Sequence, residues 1–404
     1  MNPADSLDAL YKKNFSKLVS GLIRHIGVKE IAQAEDIVQE TFVAAQQSWQ
    51  NEWPQNPEAW LFKVCKNIAL KNIRDRKEIS FEPVLEHQQY SNEADFSEND
   101  TLNILIACTH SRFSPRQQVI FALRYAAGFR VDQIATVLGS PYETIVKTLQ
   151  RLRTILVDEN IQLRFDQEHI SHATKLVLVK ILYLMFNEGY KTSCGKSILN
   201  TTLCEDALSM TQAMVRNKNL VIPEIQALYA LMLFNLSRFD TRFDDEGNLI
   251  DLESQNRSKW NTDMVALATN QLVNCKTENP SAYHIEAMIA YLHCVASDFK
   301  ATDWSKIENL YTKLMAINSS PFVELNWAIA MYYSGERMAA IDQLRKLEKI
   351  AFINNYHLFH VAMGKILSET DIEKGIGHLK KAKGLASHLA ERNYISGLIE
   401  KLEG

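Results

Sequence analysis

Glycine and proline are scarce in this sequence, and neither charge sign dominates it. The 404 residues include 14 glycines and 9 prolines, too few for a collagen-like or a Pro- and Gly-rich disordered chain. No run of about 18 apolar residues occurs, so no membrane-spanning helix is expected. The first residues also lack the basic-then-apolar pattern of a secretory signal peptide. We therefore expect a helix-rich cytoplasmic protein of two or three domains, and its net charge of −4 requires any nucleic-acid surface to be local.

Cysteine and histidine lack the spacing of disulfide or metal sites. The six cysteines form no C-x-x-C pair and lie mostly in apolar helical stretches, as expected of small buried side chains in a reducing compartment. The eleven histidines are scattered without ligand spacing. Residues 189–197 resemble a phosphate-binding loop, but the spacing of their glycines is one residue too long and no strand precedes them. We expect no metal, no cofactor and no enzymatic activity.

The distribution of charge divides the chain into four segments. Residues 1–77 have the apolar periodicity of three or four helices. Residues 78–100 carry seven acidic side chains and no lysine or arginine, which is typical of a solvated linker. Residues 101–157 are helical and basic, with seven lysines and arginines against two acidic residues. From residue 168 to residue 404 the pattern predicts one helix after another.

Two stretches of the last segment match each other at a period of about 34 to 35 residues. The first contains Leu325 and Gly335 and continues into a second helix through Leu344. The other contains His360 and continues into a second helix through Leu379. Paired amphipathic helices at this period are typical of tetratricopeptide-like stacking. We predict an all-α fold with a C-terminal helical-repeat domain.

A helix-turn-helix is predicted within the basic segment. Residues 131–139 form a short amphipathic pattern that ends at Gly139. Ser140 is a good N-cap for the next helix, Pro141 suits its first position, and Glu143 completes a capping box. A short helix, a tight turn with glycine and a second helix is the arrangement that places a helix in the major groove. The alternative is an ordinary helical hairpin with solvated charges.

The second helix of this motif has an apolar side and a polar side. Ile145, Leu149 and Leu152 recur at helical spacing and are expected to pack inward. Polar side chains in its first turns would contact base edges, and its cations would contact phosphates. The candidate DNA-binding residues of this helix are Tyr142, Glu143, Thr144, Lys147, Thr148 and Arg151.

An acidic face is predicted on a helix near the N-terminus. Apolar residues from Ile31 to Trp49 recur at helical spacing, which leaves Asp36, Gln39 and Glu40 together within one turn. We expect Phe42 or its neighbours to be exposed beside these acceptors. Such a patch could bind a basic coiled coil, whereas the alternative is a solvated acidic face.

The next predicted helix carries a basic stripe. It begins near Pro57, and Trp60, Val64 and Ile68 are expected to form its apolar face. A stripe of cations could follow a phosphate backbone without reading sequence. The stripe consists of Lys63, Lys66, Asn67, Lys71 and Arg74.

These segments together resemble the sigma-70 family of transcription initiation factors. Residues 34–42 resemble its polymerase-binding segment, residues 56–69 resemble its promoter-melting segment, and the helix-turn-helix resembles its region 4. The long region between them is missing, as in the extracytoplasmic-function group. Residues 182–190 and 255–260 resemble the subgroup with a C-terminal tetratricopeptide-like domain.

The resemblance implies a function and partners. Region 2 (1–77) would bind the β′ clamp helices of RNA polymerase core through Asp36, Gln39, Glu40 and Phe42, and would bind the minus-ten element. Region 4 (101–157) would bind the β flap and the minus-thirty-five element. Trp53 lies where the family captures a flipped base, although a loop tryptophan more often packs against its own domain. Thr148 stands where an arginine is expected, which puts the strength and the target of minus-thirty-five recognition in doubt.

Two other functions fit the residues without the resemblance. A helix-turn-helix regulator with a ligand-sensing helical domain would bind duplex DNA without polymerase. A repeat scaffold would have no role at DNA. A sigma factor is distinguished from both alternatives by binding to core polymerase and by promoter-specific initiation. The C-terminal domain of such a sigma factor would bind a regulatory protein or a small molecule.

Overall fold

A computed structural model describes most of the chain as helices. The described residues are nine positions between 7 and 22, followed by 31–50, 52–75, 98–159, 161, 170–192, 199–244, 246–275 and 277–404. They contain one isolated antiparallel bridge, between Phe243 and Leu249, and no longer strand. The predicted all-α class is confirmed. Contacts divide the chain into two units, Met1–Cys194 with Leu199–Leu220, and Gly195–Ile198 with Val221–Gly404.

The first unit contains eight helices with described bounds. They are α1 (Ile31–Ser48), α2 (Pro57–Asp75), α3 (Glu98–Ala107), α4 (Pro115–Tyr125), α5 (Val131–Val137), α6 (Tyr142–Asp158), α7 (His172–Tyr190) and α8 (Thr201–Arg216). The predicted acidic linker, 78–100, lies outside the described residues except at its end, where α3 already begins at Glu98.

The helices α7 and α8 belong to the first unit, although the sequence assigns them to a C-terminal domain that starts at residue 168. Helix α7 packs against α4, and α8 packs against α3. Helix α7 buries side chains around most of its circumference, including Leu178, Leu182 and Phe186. A helix that is apolar on several sides must be covered on several sides, which explains its burial between α4 and α8.

Gly189 is required by the close approach of α7 and α8. A Cβ atom on this residue would lie 2.8 Å from the backbone nitrogen of Cys204 and 2.8 Å from its Sγ. Gly189 is helical, within the last turn of α7, which ends at Tyr190. The glycine therefore serves helix packing. The rest of the segment that resembles a phosphate-binding loop lies mostly outside the described residues, which omit 193–198.

The second unit is a series of antiparallel helix pairs. Its helices are α9 (Pro223–Leu236), α10 (Thr262–Asn274), α11 (Ala282–Val295), α12 (Trp304–Ile317), α13 (Pro321–Ser334), α14 (Arg337–Glu348), α15 (Ala351–Asn354), α16 (His357–Leu367), α17 (Ile372–Leu385) and α18 (Leu389–Glu403). The two matching stretches of the sequence correspond to α13 with α14 and to α16 with α17. Successive helices pack on each other, and a shared core runs from Leu325 through Phe359 to Ile366.

The motif at 255–260 holds the second unit together. The Arg257 guanidinium donates hydrogen bonds to the carbonyls of His293 (2.6 Å) and Ala296 (3.0 Å) at the end of α11. Trp260 is buried, and its indole N–H donates to the Thr241 hydroxyl at 3.0 Å. Carbonyls at a helix end have no partner within the helix, so Arg257 provides a cap from a distant loop.

The described residues include no helix long and apolar enough to cross a membrane. Four cysteines, Cys65, Cys108, Cys204 and Cys275, are buried free thiols, whereas Cys194 lies outside the described residues. Burial raises the pKa of Cys65 to about 11, which keeps its thiol protonated and unreactive near neutral pH. No group of three or more metal-binding side chains occurs in the part of the chain described.

Candidate polymerase and nucleic-acid interfaces

The exposed side of α1 is acidic and amide-rich, as its periodicity predicts. Asp36, Gln39 and Glu40 are exposed, while Ile37 and Val38 are buried in the core. The three polar side chains lie within about one turn and form a continuous set of oxygen acceptors. Val43 is on the same side and 51% exposed. We call Asp36, Gln39, Glu40 and Val43 the α1 face.

Phe42 does not belong to this face: of the two expected alternatives, Phe42 or a neighbour, the exposed residue is the neighbour Val43. The side chain is only 7% exposed, and its ring lies 4.9 Å from the ring of Tyr11 in an edge arrangement. Burying a phenyl group stabilises a fold by about 1.5–3 kcal/mol, and the helix before α1 supplies the aromatic partner. The exposed apolar position beside the acceptors is therefore Val43.

The cationic stripe of α2 is exposed, but its apolar side is shifted by one residue from the prediction. Lys63, Lys66, Asn67 and Lys71 are exposed, while the side chain of Arg74 lies outside the described residues. The most buried positions are Leu61, Cys65 and Ala69. Trp60, Val64 and Ile68, the predicted apolar face, are half-buried along its border. Pro57 opens the helix as predicted, and the Asn56 side chain accepts a hydrogen bond from the Ala59 N–H at 3.0 Å.

Trp53 packs against its own domain. Its ring centroid lies 5.0 Å from that of Trp49, which is 4% exposed and also contacts Trp60 at 5.0 Å. Trp53 keeps part of its surface in solvent. In this conformation the residue is half-buried in an aromatic cluster, which is the alternative that the sequence left open.

The helix-turn-helix has the predicted elements and a different cap. Gly139 adopts a left-handed φ of 56°, and the Ser140 N–H donates to the Ala135 carbonyl at 2.8 Å. The predicted capping box at Ser140 is wrong, because its hydroxyl donates back to the Leu138 carbonyl at 3.1 Å. The same hydroxyl accepts a hydrogen bond from the Arg116 guanidinium at 2.6 Å. Helix α6 consequently begins at Tyr142 without a side-chain cap.

A capping box is present instead at the start of α4. The Gln117 N–H donates to the Ser114 hydroxyl, and the Ser114 N–H donates to the Gln117 side-chain oxygen at 2.8 Å. The sequence signal for it was available, because Ser114 and Gln117 have the S-x-x-Q spacing of this motif. This box holds the start of α4 next to the exposed side of α6.

The exposed side of α6 faces a shallow cavity with basic walls. Ile145, Leu149 and Leu152 are buried as predicted, whereas Tyr142, Glu143, Thr144, Lys147 and Arg151 are exposed. Thr148 is half-buried, and its hydroxyl donates to the Thr144 carbonyl at 2.7 Å. The cavity, of about 310 Å³, is lined by Ser114, Arg116, Gln117, Ile120, Thr144, Lys147, Thr148 and Arg151.

Arg116 and Gln117 are site residues that the sequence analysis missed. Both are far from α6 in sequence and reach the cavity because α4 and α6 pack together. The cavity wall carries three cations, Arg116, Lys147 and Arg151, together with hydroxyl and amide groups. Side chains of these kinds usually contact phosphate oxygens. The arrangement is therefore suited to a duplex whose backbone passes beside α6.

Comparisons with known proteins find matches for two parts of the chain. Residues 10–79 match the family described as sigma-70 region 2, and residues 174–276 match a family of unknown function, DUF6596. No solved structure matches the chain.

Three relatives illustrate the similarity. The ECF RNA polymerase sigma factor SigL of Mycobacterium tuberculosis is 30% identical over 151 residues, which cover 35% of this chain and 81% of SigL. The ECF RNA polymerase sigma factor BldN of Streptomyces coelicolor is 28% identical over 153 residues, 36% of this chain and 57% of BldN. A Rhizobium meliloti protein named uncharacterized protein R00370 is 27% identical over 401 residues, 95% of this chain and 93% of that protein.

Proposed function

We propose specific contacts for this chain, which belongs to the extracytoplasmic-function family of RNA polymerase sigma factors and acts in transcription initiation with RNA polymerase core and promoter DNA. In this proposal the α1 face binds the β′ clamp helices, the helix-turn-helix domain binds the β flap and the minus-thirty-five element, and α2 binds the melted minus-ten strand. The second unit is a regulatory or partner-binding module.

The exposure of Asp36, Gln39 and Glu40 supports the polymerase contact. These acceptors and the apolar Val43 form one accessible face on a helix whose opposite side, including Ile37 and Val38, is packed in the core. A basic coiled coil could pair its cations with the two carboxylates and cover Val43. Charged groups at such an interface contribute to orientation and association rate as well as to affinity.

The α6 side chains and the cavity beside them support the duplex contact. Tyr142, Glu143 and Thr144 occupy the first turn, where a recognition helix meets base edges. Lys147 and Arg151 lie further along the helix on the cavity wall, and Arg116 adds a cation from α4. This order, with base contacts at the helix start and phosphate contacts along the flank, suits a helix inserted end-first in the major groove.

The exposed lysines of α2 support a single-strand contact. Lys63, Lys66 and Lys71 form a cationic strip, which can follow a phosphate backbone without sequence preference. The role of Trp53 in this contact requires its ring to leave Trp49, because stacking on a base needs an accessible face.

The double variant Asp36→Ala with Gln39→Ala tests the polymerase contact. Full-length protein is titrated with purified core polymerase, and the variant is expected to bind at least tenfold more weakly with an unchanged far-UV circular dichroism spectrum. The matched control is Glu52→Ala with Gln55→Ala, an exposed acid and amide pair in the loop before α2. Equal core affinity of the wild type and the α1-face variant would remove this face from the proposal.

A further inference from the structure

A loop of the second unit contacts helices that lie 112 to 145 residues further along the chain. The loop runs from Thr241 to Trp260, between α9 and α10. The Trp260 indole N–H donates to the Thr241 hydroxyl at 3.0 Å, and both residues are buried. The base of the loop is therefore fixed in the core. Residues 246–254 form its middle, and we call them the strap.

Two carboxylates of the strap share one lysine. The Lys365 ammonium, on α16, donates to the Asp251 carboxylate at 2.9 Å and to the Glu253 carboxylate at 2.8 Å. The Tyr394 hydroxyl, on α18, donates to the same Asp251 oxygen at 2.8 Å. Charge-assisted hydrogen bonds of this kind are stronger than neutral ones, so α16 and α18 together bind an acidic stretch of chain.

The strap forms its main-chain hydrogen bonds within the loop. The Ile250 N–H donates to the Arg242 carbonyl at 2.8 Å, and the Gln255 N–H donates to the Asp251 carbonyl at 3.1 Å. Among the described residues, no hydrogen bond between main-chain groups joins the strap to α16 or α18. Separation of the strap from these helices would therefore leave its own turn structure intact and expose no unpaired backbone group.

Apolar burial contributes little to the position of the strap. Each of its residues is exposed or half-buried. The apolar cores that contain Ile307, Leu325 and Leu379 include no member of 246–254. The contacts of the strap with α16 and α18 are thus mainly polar, and a ligand with the same polar groups could replace them.

The surface under the strap is made by alternate helices of the stack. Helices α13 and α16 are the first helices of the two matching pairs, and α18 follows the second pair. Tyr333, on α13, lies close enough to Lys365 and Glu253 to interact with them electrostatically. Stacked helix pairs use an extended surface of this kind to bind partners. The strap therefore lies where a bound peptide would lie.

A strap in the same chain has an advantage over any separate ligand. A tethered group has an effective concentration on the order of millimolar at its site. A free peptide of the same composition must exceed that concentration or make additional contacts to displace it. Loss of the two strap carboxylates removes this competition and leaves Lys365 and Tyr394 available.

We propose that Tyr333, Lys365 and Tyr394 form a binding site for an acidic peptide, and that the strap occupies this site until such a peptide displaces it. The partner is a protein segment that presents two carboxylates two residues apart, as Asp251 and Glu253 do. This inference rests on the proposed function in one respect, because it specifies the partner of the second unit. It requires no contact with DNA or core polymerase.

The test uses full-length protein and a fluorescein-labelled synthetic peptide with the sequence of residues 246–254, and binding is measured by fluorescence anisotropy. Asp251→Asn with Glu253→Gln is expected to bind this peptide about tenfold more tightly than the wild type does. Addition of Lys365→Met to that variant should abolish binding. A peptide that carries the same two substitutions should bind none of these proteins.

Hydrogen–deuterium exchange measures the release of the strap separately. The strap amides should exchange faster in Asp251→Asn with Glu253→Gln and in Lys365→Met, while the amides of α16 and α18 keep their protection. Excess unlabelled peptide should also accelerate exchange of the strap in the wild type. This last measurement needs no substitution, so it holds even where a variant fails to fold.

The matched control is Asp263→Asn with Glu278→Gln, two exposed acids of the same unit, which should change neither peptide affinity nor strap exchange. Equal peptide affinity of the strap variant and the wild type would overturn the proposal, even where the strap exchanges freely. So would strap exchange in the wild type that excess peptide leaves unchanged. Asp36→Ala with Gln39→Ala should bind the peptide as the wild type does, so a failure of the proposed polymerase contact is observed independently.

Discussion

In the helix-turn-helix domain two cations of α6, Lys147 and Arg151, are exposed to solvent, whereas two cations of the second unit, Arg257 and Lys365, are bound within the fold. Lys147 and Arg151 line an open cavity. Arg257, by contrast, caps the end of α11, and Lys365 contacts the carboxylates of Asp251 at 2.9 Å and Glu253 at 2.8 Å. These two cations of the second unit therefore serve stability, whereas Lys147 and Arg151 of α6 are available to a partner.

The same contrast exists inside α6. Arg151 and Arg153 are two residues apart, so they lie on different sides of the helix. Arg151 is exposed beside the cavity, while Arg153 is committed to Glu35 and Tyr125. The residue type alone does not distinguish a cation for binding from a cation for structure.

The largest expected effect is on stability, from Arg257→Ala in the second unit. The change removes the hydrogen bonds to the His293 and Ala296 carbonyls and leaves these acceptors poorly satisfied. We expect a loss of about 2–3 kcal/mol in the free energy of unfolding, measured by urea denaturation. Arg345→Ala is the control, because the pair of Arg345 with Asp342 is exposed to solvent and its loss should change stability by less than about 0.5 kcal/mol. Equal effects of the two changes would contradict a structural role for Arg257.

The next largest effect is the pH dependence of the free energy of unfolding that Asp251 produces. Burial acts to raise its pKa, but the Lys365 ammonium and hydrogen bonds from Ser254 and Tyr394 outweigh burial and lower it to about 2. A carboxyl with a lowered pKa stabilises the fold above its unfolded pKa of about 4, and this contribution is lost as pH falls from about 4 to 2. Asp251→Asn should therefore destabilise the protein by about 2 kcal/mol at pH 7 and by little at pH 2.

Paired denaturation curves of the wild type and Asp251→Asn at several pH values measure this difference. A gap between the two proteins that stays constant from pH 7 to pH 2 would show that Asp251 acts by packing and not by its charge.

The double variant Lys147→Ala with Arg151→Ala is expected to have the smallest effect on stability and a clear effect on promoter binding. The removal of these two exposed cations from α6 should change the free energy of unfolding by less than about 0.5 kcal/mol. Promoter binding by the reconstituted holoenzyme should weaken about tenfold, and its logarithmic salt slope should fall by about 2, since two phosphate contacts release fewer counterions. Lys380→Ala with Lys383→Ala, exposed lysines of α17, is the matched control. A salt slope equal to that of the wild type would exclude Lys147 and Arg151 as phosphate contacts.

The accuracy of the sequence predictions depended on the distance between the interacting groups. The exposure of Asp36, Gln39 and Glu40 follows from helical period alone. Phe42 was misplaced because its partner, Tyr11, comes from another helix. The cap at Ser140 was misassigned because Arg116, 24 residues earlier, supplies a stronger interaction for the same hydroxyl.

The sequence by itself determined the helical segments, the turn at Gly139, the inward side of α6 and the resemblance to sigma factors, because these depend on residues within a few positions of each other. Only the tertiary structure decided which charged groups are neutralised inside the fold, since Glu35 meets Arg124 and Arg153 across 89 and 118 residues. It also decided that α7 and α8 belong to the first unit. Local patterns specify which side of a helix is apolar, but the choice of the surface that covers it depends on packing between distant segments.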